Sequence, residues 1–191
     1  MGTFWDKDIE KWYKHFANSW DRPSREYIRT VLSLGQYNNI LECGFGSGDI
    51  PLYINRKGIG IKYTGIEITK GFLEKAGVVF PQHTFIEGSI EKLPFKDGSF
   101  ELAYSRHIME YLTNYREAFY ELRRVTEKRV VVVFFRITSD KDIICDGEGY
   151  WDNYYGLPGL KDFLSILFSN CEYHFIHEGE PYLNLIVDCE V

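Results

Sequence analysis

Apolar residues follow two spacings along the chain, one typical of helices and one of buried strands. From residue 5 to residue 20 they recur every three or four positions, which predicts an amphipathic helix. Pro23 and Gly35 bracket a second helical stretch, because proline suits a first helical turn and glycine a helix end. These two helices either form a lid over a site or only pack on the domain that follows.

After Tyr37 the pattern changes to short apolar runs separated by helical stretches. Strands are predicted at residues 39–43, 63–68, 84–87, 100–104 and 129–135, with helices at 50–55, 70–76 and 115–125. Helices that alternate with strands indicate a parallel sheet with helical crossovers. The run 130–135 is apolar throughout, as expected of a strand buried on both faces.

The last part of the chain predicts one helix, at 160–168, and two strands, at 171–176 and 182–189. The link between these strands is too short for a parallel return, so they must be antiparallel. The sequence therefore predicts an α/β, three-layer Rossmann-like sandwich in one domain. Its seven-stranded sheet is mostly parallel, with an antiparallel last strand.

Composition narrows the classes of partner. The net charge is −6 and the pI is about 5.4, which argues against nucleic acid, because binding phosphates requires clustered lysine and arginine. No apolar run is long enough to cross a bilayer, and the first residues lack the features of a signal peptide. We expect no membrane and no nucleic-acid partner, and a cytoplasmic location.

Cysteine and histidine spacing gives no metal site. Cys43, Cys171 and Cys189 lie in or beside apolar runs and show no zinc-type spacing, so they are interpreted as small core residues in a reducing compartment. His174 and His177 are three positions apart on a strand and point to opposite faces. We expect no metal.

The strongest motif is the passage from Asn38 to Asp49. An apolar run ends at Glu42 and is followed by glycines at positions 44, 46 and 48 and then by a helical stretch. Strand, glycine turn and helix form the first unit of a nucleotide-type cofactor site. The third glycine falls one position too early for a dinucleotide fingerprint. With Glu42 and Asp49 and no basic residue in the turn, the cofactor is expected to carry a positive charge rather than a run of phosphates.

Four segments in order resemble the motifs of class I S-adenosylmethionine-dependent methyltransferases, of the type 11-like, small-molecule branch. They are Glu42 to Gly48, Tyr63 to Ile68, Glu87 to Leu102 and Tyr104 to Leu112. The resemblance implies S-adenosyl-L-methionine as cofactor. It places Gly44, Gly46 and Gly48 in close approach to the cofactor, Glu42 towards its methionine ammonium, Glu67 on its ribose, and Ser89 with Ile90 at its adenine. Phe45, Ile68, Ser105 and Arg106 complete the implied cofactor contacts. The family's adenine-binding aspartate is replaced here by Ser89, which predicts weaker binding because a neutral acceptor forms a weaker hydrogen bond.

The methyl acceptor is expected on the side of the chain that follows the fourth and fifth strands. His107 is the candidate catalytic base, with packing against the cofactor as the equal alternative. The candidate substrate-binding residues are His107, Tyr111, Tyr150, Trp151, Tyr154 and Tyr155, although these aromatics could instead cover the sheet edge. Asp140, Asp142, Asp146 and Glu148 make an anionic acceptor less attractive.

The predicted function is S-adenosylmethionine-dependent methyl transfer to an unidentified small-molecule acceptor, by in-line displacement at the sulfonium methyl. Residues 1–36 would form lid helices, 37–135 the cofactor-binding core, and 136–191 the acceptor side. Two alternatives remain: a non-catalytic domain of the same fold that binds the cofactor or a protein, and an NAD-dependent oxidoreductase, which the glycine spacing disfavours. The sequence gives no oligomeric state.

Overall fold

The computed structural model describes residues 8–17, 22–147, 150–177 and 183–191. The helices are α1 (Ile9–Ala17), α2 (Pro23–Ser33), α3 (Asp49–Lys57), α4 (Lys70–Val79), α5 (Tyr115–Val125) and α6 (Leu157–Leu167). The strands of the main sheet are β1 (Asn39–Cys43), β2 (Lys62–Glu67), β3 (Thr84–Glu87), β4 (Phe100–Arg106), β5 (Thr126–Phe134), β10 (Asn170–His177) and β11 (Leu183–Glu190). Four two-residue strands lie between β5 and α6: β6 (Ile137–Thr138), β7 (Asp146–Gly147), β8 (Tyr150–Trp151) and β9 (Tyr155–Gly156).

The seven main strands have the spatial order β10-β11-β5-β4-β1-β2-β3. Strand β11 runs antiparallel to both neighbours, and the other six strands are parallel to one another. The predicted fold class is therefore confirmed. The order reverses beside β1, so the carboxyl ends of β1 and β4 border a topological switch point, where open α/β sheets bind ligands.

Side chains of the central strands alternate between the two faces of the sheet. In β5, Val130, Val132 and Phe134 belong to a core shared with α5 and α6. Val131 and Val133 face a second core, shared with α2 and α3. This alternation explains why a strand buried on both faces is apolar at every position.

Helix α2 belongs to the layered body of the protein. Ile28, Val31 and Leu32 are almost fully buried against the sheet. Helix α1 packs on α4, where Ile9 lies against Gly71. Packing is thus the observed role of α2, while a lid role for α1 stays a prediction. The predicted first helix was longer than α1, and its outer residues lie outside the described ranges.

One expectation about the cysteines is wrong. Cys171 and Cys189 face each other across β10 and β11 and form a disulfide, whereas the sequence indicated two free core thiols. The pairing depends on strand register, which places the two residues directly opposite each other. Cys43 is a fully buried free thiol, as expected.

Two absences hold for the described ranges alone. No helix within them is long and apolar enough to cross a membrane. No group of three or more His, Cys, Asp or Glu side chains in that part of the chain comes together as a metal site.

Candidate cofactor and acceptor site

The glycine loop, residues 44–48, joins β1 to α3 at the carboxyl edge of the sheet. Gly44, Gly46 and Gly48 have φ values of 76°, 52° and 78°, in the region that favours glycine. A Cβ at Gly44 would also overlap the side chain of Ile108, and one at Gly48 would come within 2.7 Å of Phe80. These glycines are therefore required by backbone conformation and by packing beneath the loop.

Glu42 is the next-to-last residue of β1 and carries a buried carboxyl group. Its Oε2 accepts a hydrogen bond of 2.5 Å from the Tyr63 hydroxyl. Burial, helped by the nearby charges of Asp49 and Glu67, raises the pKa of Glu42 to about 8, against the opposing effects of Tyr63 and Arg25. The site thus holds a carboxyl group that a bound cation would ionise.

Glu67 ends β2, one strand away, and its side chain is only 8% exposed. Its carboxylate accepts from the backbone N–H groups of Ile68 and Thr69, at 2.9 and 3.0 Å, and from Gly46 at 3.4 Å. Burial raises its pKa, and these hydrogen bonds oppose the rise. Glu67 therefore links the glycine loop to the start of α4.

Two buried arginines of α2 lie against the first residue of α3. Arg29 Nη2 is 2.5 Å from Asp49 Oδ1, and Arg25 Nη1 is 3.5 Å from the same oxygen. Arg106, at the end of β4, donates from Nε to Ser24 Oγ at 2.8 Å. The start of α2 is thus fixed across the carboxyl ends of β1 and β4. Sequence reasoning missed this contact, because basic side chains are expected at the surface unless a buried partner is known.

The residues expected at the adenine lie at the end of β3. Ser89 Oγ accepts from the backbone N–H of Glu91 at 3.2 Å, and Ile90 is buried in the core. Ile68, which follows Glu67 after β2, is half exposed. Their assignment to adenine stays a prediction.

Two other expected cofactor contacts have identified structural roles. Ser105 is fully buried and donates to the Cys43 carbonyl at 3.1 Å, which links β4 to β1. Phe45 is buried beneath the glycine loop, with its ring centroid 5.0 Å from that of Phe85. Their contact with the cofactor remains a prediction.

His107 follows β4 with φ of 55°, and it is the single non-glycine residue with positive φ among those described. Its ring centroid lies 5.0 Å from that of Phe135, and its Nε2 atom is buried without a hydrogen-bond partner among the described residues. Burial, followed by the charges of Arg106, Arg25 and Arg22, lowers the pKa of His107 well below its ordinary value. Its imidazole is neutral at pH 7.

Residues 135–136 and 151–155 together form what we name the acceptor wall. Arg136 carries its guanidinium 5.0 Å from the ring centroids of both Phe135 and Tyr154, and it pairs with Asp152. This side chain is 18% exposed. The wall thus presents a cation held between two aromatic rings, next to His107.

The predicted acceptor-side aromatic residues differ in how far they are exposed. Tyr155 is 1% exposed, contacts Tyr115 in the core, and donates to the Leu112 carbonyl at 3.0 Å, so its ring lies behind the exposed face of the acceptor wall. Tyr111, Trp151 and Tyr154 are partly exposed and stay candidates. The side chain of Tyr150 lies outside the described residues.

Sequence reasoning also missed Glu110, which lies in the 3₁₀ turn Met109–Tyr111 after β4. Its carboxylate accepts from the backbone N–H groups of Phe135 and Arg136, the first two residues of the acceptor wall. No spacing in the sequence indicates this contact, because it joins residues 25 positions apart.

The S-adenosylmethionine expected from the sequence fits this arrangement. Glu42 and Glu67 place two buried carboxylates at neighbouring strand ends, where a ligand that carries positive charge and ribose hydroxyls would find acceptors. The glycine loop offers no basic side chain, which a polyphosphate would require. The group would therefore be held by Glu42, Glu67 and the loop between them.

Comparisons with known proteins bear on the family and the fold. The model of a family described as "Methyltransferase domain" matches residues 41–134. The malonyl-[acyl-carrier protein] O-methyltransferase of Pectobacterium atrosepticum is 23% identical over 176 residues, which cover 90% of this chain and 68% of that protein. The enzyme of the same name from Salmonella typhimurium is 27% identical over 111 residues. The match covers 58% of this chain and 43% of the Salmonella protein.

A solved structure with a similar fold is the Burkholderia thailandensis 1,6-didemethyltoxoflavin-N1-methyltransferase, with bound 1,6-didemethyltoxoflavin and S-adenosylhomocysteine. The TM-score is 0.73 at 13% identity, over 97% of this chain and 86% of that chain. At this identity the likeness concerns the fold alone.

Proposed function

We propose that this chain, which belongs to the class I S-adenosylmethionine-dependent methyltransferases, methylates a carboxylate oxygen of a small acyl acceptor. The observation that carries this proposal is Arg136, whose guanidinium lies between the rings of Phe135 and Tyr154 beside His107. An arginine fork matches the two oxygens of a carboxylate, and aromatic faces hold the fork in place.

A carboxylate acceptor requires few catalytic groups from the protein. Bound S-adenosylmethionine supplies an electrophilic methyl group, and a carboxylate near neutral pH has no proton to lose. Alignment of the attacking oxygen with the methyl group supplies much of the rate. Burial lowers the pKa of His107 and so makes it a weaker base, which is consistent with a reaction that uses no general base.

The acidic residues near the acceptor wall do not argue against an anion as strongly as the sequence indicated. Asp142 is used by the fold, since its Oδ1 accepts from the Gly156 N–H at 2.7 Å. Asp152 is paired with Arg136 and is 34% exposed, so an acceptor carboxylate would take its place on the guanidinium. A displaceable counterion would keep Arg136 in position before the acceptor arrives.

The names of the relatives support the same acceptor class. Two of them are named for O-methyl transfer to malonyl groups on acyl-carrier protein. The acidic oxygen of a malonyl thioester is its free carboxylate, which Arg136 would bind. We extend the proposal to acceptors that are free or carried on a protein.

The cytoplasmic location favoured by the sequence is part of this proposal. The redox state of Cys171 and Cys189 tests this location, because disulfides are rare in a reducing cytoplasm. Thiol labelling of the protein taken directly from cells would show reduced cysteines if the location is cytoplasmic, and oxidised cysteines if it is not.

The experiment that tests the function compares malonyl and acetyl thioesters of pantetheine as acceptors, with S-adenosylhomocysteine as the measured product. We expect turnover with the malonyl compound alone. Replacing Arg136 by alanine should raise the acceptor KM at least tenfold, or about 1.4 kcal/mol, without changing the Kd of S-adenosylmethionine.

Arg116→Ala is the matched control, since Arg116 also lies over two rings, those of Tyr115 and Phe163, but on α5. It should behave as the unchanged protein. A protein that binds S-adenosylmethionine but transfers no methyl group to any carboxylate acceptor would contradict the proposal.

A further inference from the structure

Glu110 holds both segments of the acceptor wall. Its side chain accepts from the N–H groups of Phe135 and Arg136, and its own carbonyl accepts from the Asn153 N–H at 2.9 Å. Glu110 is 1% exposed, so these contacts are made away from water. One residue of the turn after β4 thus fixes the two stretches that carry the aromatic rings and the guanidinium.

The rest of the same turn strengthens the attachment. The Leu112 carbonyl accepts from Asn153 Nδ2 at 2.7 Å and from the Tyr155 hydroxyl at 3.0 Å. Asn153 Oδ1 also accepts from the Cys145 N–H at 3.0 Å. The position of the acceptor wall relative to β4 is therefore set by several partly buried hydrogen bonds.

The charge of Glu110 matters to the guanidinium as well as to the backbone. A carboxylate that accepts from an N–H makes a stronger bond than a neutral oxygen does. Its negative charge also attracts Arg136, which lies close enough to lower the pKa of Glu110. Losing this charge would weaken the hold on Phe135 and Arg136 while leaving the cofactor residues at β1 and β2 untouched.

We propose that Glu110 is a positioning residue for acceptor binding, which acts by fixing the backbone of Phe135 and Arg136 so that the guanidinium faces the acceptor carboxylate. This inference rests on the proposed function for its consequence in catalysis. The hydrogen bonds that carry it do not depend on the identity of the acceptor.

The environment of Glu110 predicts that acceptor binding depends on pH. Burial raises its pKa to about 7, against the effect of the backbone N–H groups and of Arg136. Other ionisable groups near it are Asp152, which pairs with Arg136, the hydroxyl of Tyr111, and the hydroxyl of Tyr155, whose pKa burial raises to about 12 so that it stays protonated near neutral pH. As pH rises from 6 to 8, Glu110 ionises and the acceptor wall is held more firmly.

Stability has the opposite dependence. The pKa of Glu110 in the folded chain is above the ordinary value of 4.5, so the folded state binds the proton more tightly than the unfolded chain does. Raising the pH through the folded-state pKa of about 7 ionises a buried carboxyl and lowers the free energy of unfolding. A gain in acceptor binding at higher pH would therefore be accompanied by a loss of stability.

Two measurements on Glu110→Gln test the inference. The glutamine keeps the shape and one acceptor oxygen but not the charge. At saturating S-adenosylmethionine and pH 8, we expect the KM for malonyl-pantetheine to rise by about tenfold with the cofactor Kd unchanged. The KM of the unchanged protein should fall between pH 6 and pH 8, whereas that of the variant should stay constant.

The second measurement is hydrogen exchange of the amides of Phe135 and Arg136, which needs no acceptor. We expect both amides to exchange faster in Glu110→Gln than in the unchanged protein, and at the unchanged rate in Glu117→Gln, an exposed glutamate of α5. Equal protection in Glu110→Gln would overturn the inference whatever the acceptor is.

The outcomes separate the inference from the proposed function. If the unchanged protein methylates no carboxylate, the function is wrong, and the exchange rates alone decide whether Glu110 positions the wall. If it does methylate malonyl-pantetheine and Glu110→Gln has the same KM and pH profile, the inference is wrong while the function stands.

Discussion

Three glutamates show where carboxyl groups are buried in the described part of this chain. Glu42, Glu67 and Glu110 are each at most 8% exposed and end or follow strands at the carboxyl edge of the sheet. The first two were predicted from their positions after apolar runs, because a strand end and a glycine turn are both visible in the sequence. Glu110 was not, since its partners are 25 and 26 positions away and the contact exists only once β4 and β5 are paired.

Binding of S-adenosylmethionine should release protons from Glu42. Its pKa of about 8 keeps most of the carboxyl protonated at pH 7, and an ammonium group placed against it would favour the ionised form. Calorimetry in two buffers of different ionisation enthalpy measures this release. The observed heats should differ between the buffers, and the difference should disappear in Glu42→Gln. Identical heats for the unchanged protein would contradict a cationic ligand group at Glu42.

Replacing His107 by asparagine should leave the pH dependence of kcat unchanged between pH 6 and pH 8. Burial lowers the pKa of His107 well below its ordinary value, so we expect the imidazole to stay neutral across this range. With a carboxylate acceptor we expect kcat to fall by less than about tenfold, because loss of a true general base costs roughly 10² to 10⁴. A larger loss, together with a vanished titration, would restore His107 as the base.

The existence of the helices and strands and their order along the chain were predictable. Their end residues and their contacts with one another were less so. The helix over residues 115–125 and the strand over 39–43 occur with the predicted bounds, whereas β5 begins three residues before its predicted start. Periodicity is strong inside an element and weak at its ends, where hydrogen bonding to neighbours decides. The burial of Arg25 and Arg29 on α2 was not predicted, because a basic side chain favours the surface until a partner such as Asp49 is brought to it.

The attachment of α2 predicts a large cost for Asp49→Asn. The substitution would leave Arg25 and Arg29 buried without their carboxylate, which costs roughly 3–5 kcal/mol for a broken buried pair. Urea unfolding measures the loss. Asp97→Asn removes an 82% exposed partner of Arg124 and should change the free energy of unfolding by no more than about 1 kcal/mol. Equal effects of the two substitutions would contradict a stabilising role for the Asp49 contact.

At the scale of the whole molecule, the mostly parallel sheet was predictable from the alternation of helices and strands, and the single reversed strand from the length of its link. The spatial order of the strands comes from the structure. The disulfide was not, because cysteine spacing alone does not give the register of β10 on β11. The acceptor wall was anticipated as an aromatic stretch, while its charge, carried by Arg136, was visible only after Phe135 and Tyr154 were placed on either side of it.

The Cys171–Cys189 disulfide should stabilise the whole fold. It links residues 18 positions apart, and closing a loop of this size contributes about 3 kcal/mol by restricting the unfolded chain. Cys171→Ser should therefore lower the free energy of unfolding by about this amount under oxidising conditions and have little effect in the presence of a reductant. A loss of the same size with reductant present would indicate that packing, rather than the crosslink, is responsible.

The most direct test of the account is a calorimetric titration of the folded protein with S-adenosylmethionine. We predict binding that Glu67→Ala weakens at least tenfold, or about 1.4 kcal/mol, because the variant removes the buried carboxylate at the end of β2. Glu74→Ala, which removes an exposed glutamate from α4, should bind as the unchanged protein does. Absence of binding by the folded protein, or equal affinity in Glu67→Ala, would contradict the cofactor site described above.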